Sequence, residues 1–162
     1  MRHGGLQAQD CSDSPNEFNQ GAARQLQSFA RFDGSALSHV VGIDCEGNAR
    51  RSDGKAGHLC FGPYISIEPG DYVAGFYIRR LGPPQPHPID MDVFADGTAK
   101  LTEKRILHSE LLGTVAGLLP MDFRVAQRIS QLEVRLYVPA DTLIEVRELV
   151  IFRTRFRSWS AQ

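Results

Sequence analysis

The 162-residue chain sets 18 Lys and Arg against 19 Asp and Glu, for a formal net charge of -1. That balance leaves no broad field to draw a polyanion or an anionic membrane, so nucleic acid is not an expected partner. A chain of this length is the usual size of one domain and can bury roughly 70% of the surface its unfolded form exposes, so a single core is expected.

No stretch approaches the roughly 18 consecutive apolar residues of a membrane span, and Met1 to Gln7 offers no apolar signal core. The expectation is a cytoplasmic protein without a membrane span. Cys11, Cys45 and Cys60 are odd in number and lie outside any CxxC spacing, which reads as three ordinary thiols.

Residues 1–33 read as a polar lead-in followed by a helix. Ser14-Pro15-Asn16-Glu17 is a helix-start signal, with Ser14 as cap, Pro15 in the first helical position and Glu17 as the capping-box acid. Phe18, Ala22, Leu26 and Phe29 then fall on one face, and Asp33-Gly34 supplies the stop. Such a stripe packs on its own domain or docks a partner protein.

After Gly34 the texture changes to short apolar alternations broken by Gly and Pro, the pattern of an all-β, antiparallel jelly-roll β-sandwich over residues 34–156. Ser38 to Ile43 reads as a first strand, and His58 to Ile67 as two strand pieces around Gly62-Pro63. Glu68-Pro69-Gly70-Asp71 reads as a turn. Tyr72, Ala74, Phe76 and Ile78 then point inward, with Val73, Gly75, Tyr77 and Arg79 outward. Leu81 to Pro88, with four prolines, is a loop.

Ile89, Met91, Val93 and Ala95 alternate with Asp90, Asp92 and Phe94 up to a turn at Asp96-Gly97. Lys100 to Leu107 reads as another strand, and Ser109 to Pro120 as a small-residue connection. Leu132, Val134, Leu136 and Val138 alternate with Glu133, Arg135 and Tyr137, and Pro139-Ala140-Asp141 turns the chain back. Ile144 and Val146 continue the inward set, but Leu149 and Ile151 are out of phase by one, so a bulge near Arg147-Glu148 is required. Residues 157–162, around Trp159, form a polar tail.

The sequence carries no GxSxG elbow, no Cys-with-His arrangement, and no HxH or HxxxH pair among His3, His39, His58, His87 and His108, so nucleophilic and transition-metal catalysis are disfavoured. No cofactor is expected. Asp90 and Asp92, with Asp96 beyond them, are the one carboxylate cluster that could take calcium, or else ordinary charges on a solvated face. Gly54-Lys55-Ala56-Gly57 lacks P-loop spacing and reads as a turn. What remains is an outward face: Tyr77 and Arg79 on one strand, Glu133, Arg135 and Tyr137 on another. Flat rings with charged hydrogen-bonding groups suit a sugar, whose C–H face stacks on an aromatic ring while polar side chains take its hydroxyls. The plainer alternative is a solvated sheet with cross-strand Arg–Glu pairs.

The run Gly57-His58-Leu59-Cys60-Phe61-Gly62-Pro63-Tyr64-Ile65-Ser66-Ile67-Glu68-Pro69-Gly70-Asp71-Tyr72 resembles a jelly-roll module of bacterial proteins of surface-polysaccharide synthesis, often appended to glycosyltransferases or methyltransferases. The likeness continues through Asp92 to Gly97, Leu132 to Val138 and Glu145 to Phe152, roughly three quarters of the chain. It implies a non-catalytic carbohydrate-binding-like module that holds a glycan or sugar-containing ligand near a transferase. Two other readings stay open: an assembly module that forms a homo-oligomer or docks a transferase, and a jelly-roll enzyme acting on a sugar nucleotide. The last would need a buried pocket pairing a His with a carboxylate.

Overall fold

The computed structural model describes residues 29–154. It is an antiparallel β-sandwich of ten strands: β1 (Phe29–Asp33), β2 (Ile43–Cys45), β3 (Ala49–Arg51), β4 (Gly57–Ile67), β5 (Gly70–Arg80), β6 (Ile89–Ala95), β7 (Ala99–Ile106), β8 (Gly117–Val125), β9 (Ile129–Val138) and β10 (Ile144–Arg153). A six-stranded sheet runs β2-β3-β10-β5-β8, with β1 also paired to β10, and faces a four-stranded sheet in the order β4-β9-β6-β7.

Period-two alternation builds the core. Tyr72, Ala74, Phe76 and Ile78 of β5 meet Leu132, Val134, Leu136 and Val138 of β9 and Ile89, Met91, Val93 and Ala95 of β6, all buried between the sheets. Each strand thereby leaves the alternate set of side chains on an outer face. The expected phase change in β10 occurs at Arg147, where the register with β5 slips between Val146 and Glu148. Val146 before it and Leu149 and Ile151 after it all reach the core.

Several expectations are corrected. The last turn of the expected helix is strand: Phe29 to Asp33 pairs in register with Phe152 to Glu148. There the period is two, with Ala30 and Phe32 packed on the core and Phe29 and Arg31 outward. The rest of that helix, with Phe18, Ala22 and Leu26, lies outside the described residues, as does Trp159. Ser38 to Ile43 is not a continuous strand. Ser38 makes an isolated bridge to Phe61, and Gly42 turns the chain at φ +97°. A Cβ at Gly42 would stand 2.7 Å from the Arg51 carbonyl oxygen, so the turn needs glycine.

β4 is one strand rather than two pieces, and it carries a cis Gly62–Pro63 peptide bond within it. Half of the expected connection from Ser109 to Pro120 is instead a 3-10 turn at His108–Glu110 and the start of β8, which pairs with β5 from Gly70 to Ile78. Pro120 hides this strand in the sequence, yet β8 lies at the sheet edge in the strand order, where a proline is tolerated.

The resemblance motif is structural. Tyr72 is buried, stacks on Phe123 at 5.6 Å between ring centroids and donates its hydroxyl to the Glu68 carbonyl at 2.7 Å. Arg50 is also buried, where it donates to the carbonyls of Leu37 at 2.7 Å and Ser35 at 3.0 Å and pins the loop after β1 to the sandwich.

Candidate functional site

The five residues expected on one outward face occupy two. Tyr77 and Arg79 lie on β5 in the six-stranded sheet, while Glu133, Arg135 and Tyr137 lie on β9 in the four-stranded sheet. Alternation correctly gave the outward set of each strand, but it holds no information about which sheet a strand joins. The two sets therefore look away from each other across the core.

On the four-stranded sheet, strand register lines the outer side chains into rungs. One rung crosses β4, β9, β6 and β7 as His58, Tyr137, Asp90 and Arg105. The next is Phe61, Arg135, Asp92 and Glu103, and the third is Pro63, Glu133, Phe94 and Lys100. The first rung, with Asp92 and Glu103 of the second and with Lys100 and Lys104, lines a shallow open depression of about 750 Å3.

Its chemistry is mixed along its length. At one side the His58 ring stands edge-on to Tyr137, with centroids 5.5 Å apart and an interplanar angle of 80°, and Tyr137 keeps 38% of its surface exposed. In the middle, Arg135 donates Nε and Nη2 to the two Asp92 oxygens, both at 2.7 Å. At the far side Arg105 donates to Asp90 at 2.9 Å and Lys100 to Glu103 at 2.6 Å. Burial lowers the pKa of His58 and the Arg135 charge lowers it further, which favours a neutral imidazole that can both donate and accept. Glu133 accepts a long bond from Tyr64 at 3.4 Å.

The calcium candidates are spent on other partners. Asp90 and Asp92 do share the outer face of β6, as expected, but each is ion-paired with an arginine. Asp96, at the β6–β7 turn, accepts the backbone N–H groups of Ser130 and Gln131 at 3.0 and 2.9 Å. The three carboxylates are not gathered, and among the described residues no group of three or more His, Cys, Asp or Glu is placed to hold a metal.

On the six-stranded sheet Arg79 meets a group that sequence reasoning missed. Glu145 on β10, 1% exposed, is ringed by Arg79 at 2.9 Å, Arg51 at 2.7 Å and Arg147 at 2.8 Å. Burial alone would raise its pKa, but the hydrogen bonds from Arg79 and Arg51 and the charge of Arg147 bring it down to about 2. Glu145 sits where alternation predicts an outward residue. Three guanidinium groups converge on its buried carboxylate, a clustering across strands that sequence periodicity does not report.

Among the described residues His108 is the buried histidine, in the turn after β7. Neither of its ring nitrogens has a hydrogen-bond partner, and burial and then the Arg80 charge lower its pKa. It is not joined to a carboxylate, so the pairing a sugar-nucleotide enzyme would need is not made there. His39 and His87 are exposed. Cys45 and Cys60 are free thiols, and burial pushes the Cys60 thiol up to about 12.

The sandwich is shared with solved carbohydrate-binding modules. The C-terminal CBM6 module of LamC, a marine laminarinase from Zobellia galactanivorans, matches at a TM-score of 0.54 and 10% identity, over 77% of this chain and 99% of that one. A carbohydrate-binding module (CBM6cm-2) from Cellvibrio mixtus lichenase 5A, solved in complex with cellotriose, matches at 0.50 and 9% identity, over 80% of this chain and 100% of that one. At identities this low the likeness shows the fold alone. No family model and no curated protein matches the chain.

Proposed function

We propose that the chain is a non-catalytic carbohydrate-binding module that holds a glycan across the outer face of its four-stranded sheet. The rung of His58, Tyr137, Asp90 and Arg105 carries this reading, because it sets a half-exposed ring, a neutral imidazole and a charged acceptor–donor pair side by side in one depression. A pyranose laid on the Tyr137 ring would turn its hydroxyls toward Asp90 and Arg105. The fold it shares with a module solved with cellotriose supports the same reading. The depression is open and shallow, so affinity should be modest.

The finer role is service to bacterial surface-polysaccharide or glycoconjugate synthesis, with the module keeping a sugar-containing substrate near a transferase. The resemblance from Gly57 to Tyr72 supports it.

The test is an NMR titration of the full chain with neutral oligosaccharides, cellotriose first and then fragments of bacterial polysaccharides. Shifts confined to the β9–β6–β7 face and abolished by Tyr137→Ala are expected. No shift at millimolar ligand across the set would remove the proposal.

A second reading is assembly or partner docking. One end of the sandwich supports it, where exposed Leu81, Leu112 and Leu143 are tied together by backbone bonds from Leu81 to Leu143 and from Arg80 to Leu112. A molar mass that falls to the monomer in Leu112→Asp would favour it; a monomer for both proteins would remove self-assembly.

A further inference from the structure

We propose that the outer face of the six-stranded sheet holds a second, separate subsite for an oxyanion carried on a sugar ring, a uronate carboxylate or a sulfate ester, gripped by Arg51 and Arg147 beside Tyr77. Its sugar component rests on the glycan reading above, while its oxyanion component stands on this face alone.

Charge and hydrogen-bond counts carry the inference. Neutralising Glu145 takes one guanidinium, yet three converge on it. Arg79 alone uses two nitrogens, Nε to Oε1 at 2.9 Å and Nη2 to Oε2 at 3.3 Å. Arg51 donates only Nε to the carboxylate and Arg147 brings its Nε to 2.8 Å from it, and among the described residues neither side chain hydrogen-bonds to any other group. Their side chains are 45% and 42% exposed. Their Nη donors are therefore oriented by a buried carboxylate and left unspent at the surface. With Glu46 counted, whose charge reaches Arg51, the group still carries an excess of one positive charge. The other nearby acids are engaged elsewhere, Asp44 with Arg50 and Glu148 with Arg31.

The backbone also serves this arrangement. Regular alternation after Glu145 would send residue 147 outward and residue 148 to the core. The bulge between Val146 and Glu148 leaves Arg147 outward and turns Glu148 outward as well, opposite Tyr77, so two consecutive side chains share the outer face with Glu145. Bulges recur where a side chain must be re-aimed. Gly47, in the turn before β3, lets the chain come close to Arg147; a Cβ there would stand 2.7 Å from its Nη1. Tyr77 lies two residues before Arg79 on the same face of β5, roughly 7 Å away, so an acidic saccharide can reach both the ring and the arginines. Fixed guanidinium forks suit carboxylate and sulfate oxygens in a way that a mobile lysine would not.

Calorimetric and NMR titration of the full chain decides it, with four probes: a digalacturonate, glucose 6-sulfate, inorganic sulfate and neutral cellotriose. Either acidic sugar should bind, shift the Nε–H signals of Arg51 and Arg147, and weaken at least about tenfold in Arg147→Ala, the loss expected for one charged hydrogen bond. The conservative Arg147→Lys should recover little. The uronate and sulfate arms tell the two sources of the oxyanion apart. If inorganic sulfate binds as tightly as both acidic sugars, the sugar component is overturned. Failure of both acidic sugars to bind, or unchanged binding in Arg147→Ala with unmoved Arg51 and Arg147 signals in the wild type, overturns the subsite. Cellotriose binding, lost in Tyr137→Ala but kept in Arg147→Ala, reports on the opposite face, so the two proposals fail separately.

Discussion

The guanidinium of Arg135 lies over the Phe94 ring, 4.0 Å from its centroid, while forking onto Asp92. One side chain thus joins a cation–π contact, a bidentate ion pair and the field felt by His58. Arg135→Met should raise the His58 pKa toward its ordinary value of 6.5, since Asp92 and Glu133 then act on it unopposed. An NMR pH titration of the His58 ring protons reads this directly. A midpoint that does not move would mean that the charge of Arg135 does not govern the imidazole.

Glu145→Gln should be strongly destabilising, by about 3–5 kcal/mol, because it leaves three arginines converged on a neutral amide. Urea denaturation measures the loss. A change under about 1 kcal/mol would show that the arginines relax into solvent at little cost.

The same carboxylate sets an acid limit. Its folded pKa of about 2 lies below the ordinary 4.5, so the unfolded chain binds the proton more readily. The stability it contributes is complete above about pH 4.5 and is lost as pH falls toward 2. The acid-unfolding curve of Glu145→Gln should accordingly be flatter than wild type across that window.

His108 acts in the same direction at higher pH. Its folded pKa is lowered from 6.5, so the unfolded state takes up the proton first, and stability is lost as pH drops below 6.5. Arg80 faces it, and protonation would bring two positive charges together in a buried setting. His108→Phe removes the titrating group and should make the melting temperature less dependent on pH between about 6.5 and 5. Equal slopes for the two proteins would exclude the effect.

Gly42→Ala should cost about 2 kcal/mol or more, from a strained φ of +97° together with the collision with the Arg51 carbonyl and the Leu59 side chain. Gly54→Ala, with φ +85° and open space around it, should show the conformational cost alone. Comparing their melting temperatures separates strain from crowding.

Strand phase was legible in the sequence, because a buried sheet face imposes a period of two. It gave the inward sets of β5, β6 and β9 and even the slipped residue in β10. Pairing was not legible, because any outward face looks alike from its own strand. Tyr77 and Tyr137 could therefore be read as companions although the core separates them. The rung that joins His58, Tyr137, Asp90 and Arg105 is drawn from four strands spread over nearly half the chain, and no local spacing encodes it. Phe29 misled for a different reason. Phe18, Ala22, Leu26 and Phe29 fit a helical stripe, but Ala30 and Phe32 fit a strand equally well, and pairing with β10 decides between them.

The extra residue in β10 has an evolutionary corollary. Deleting Arg147 would restore an uninterrupted ladder and still leave Val146, Leu149 and Ile151 facing the core, so the interior does not itself require the extra residue. Its side chain, on the outer face, is likewise free of the core. The fold thus tolerates both the loss of residue 147 and changes in its chemistry, which makes this position a natural dial for retuning the arginine cluster on the six-stranded face.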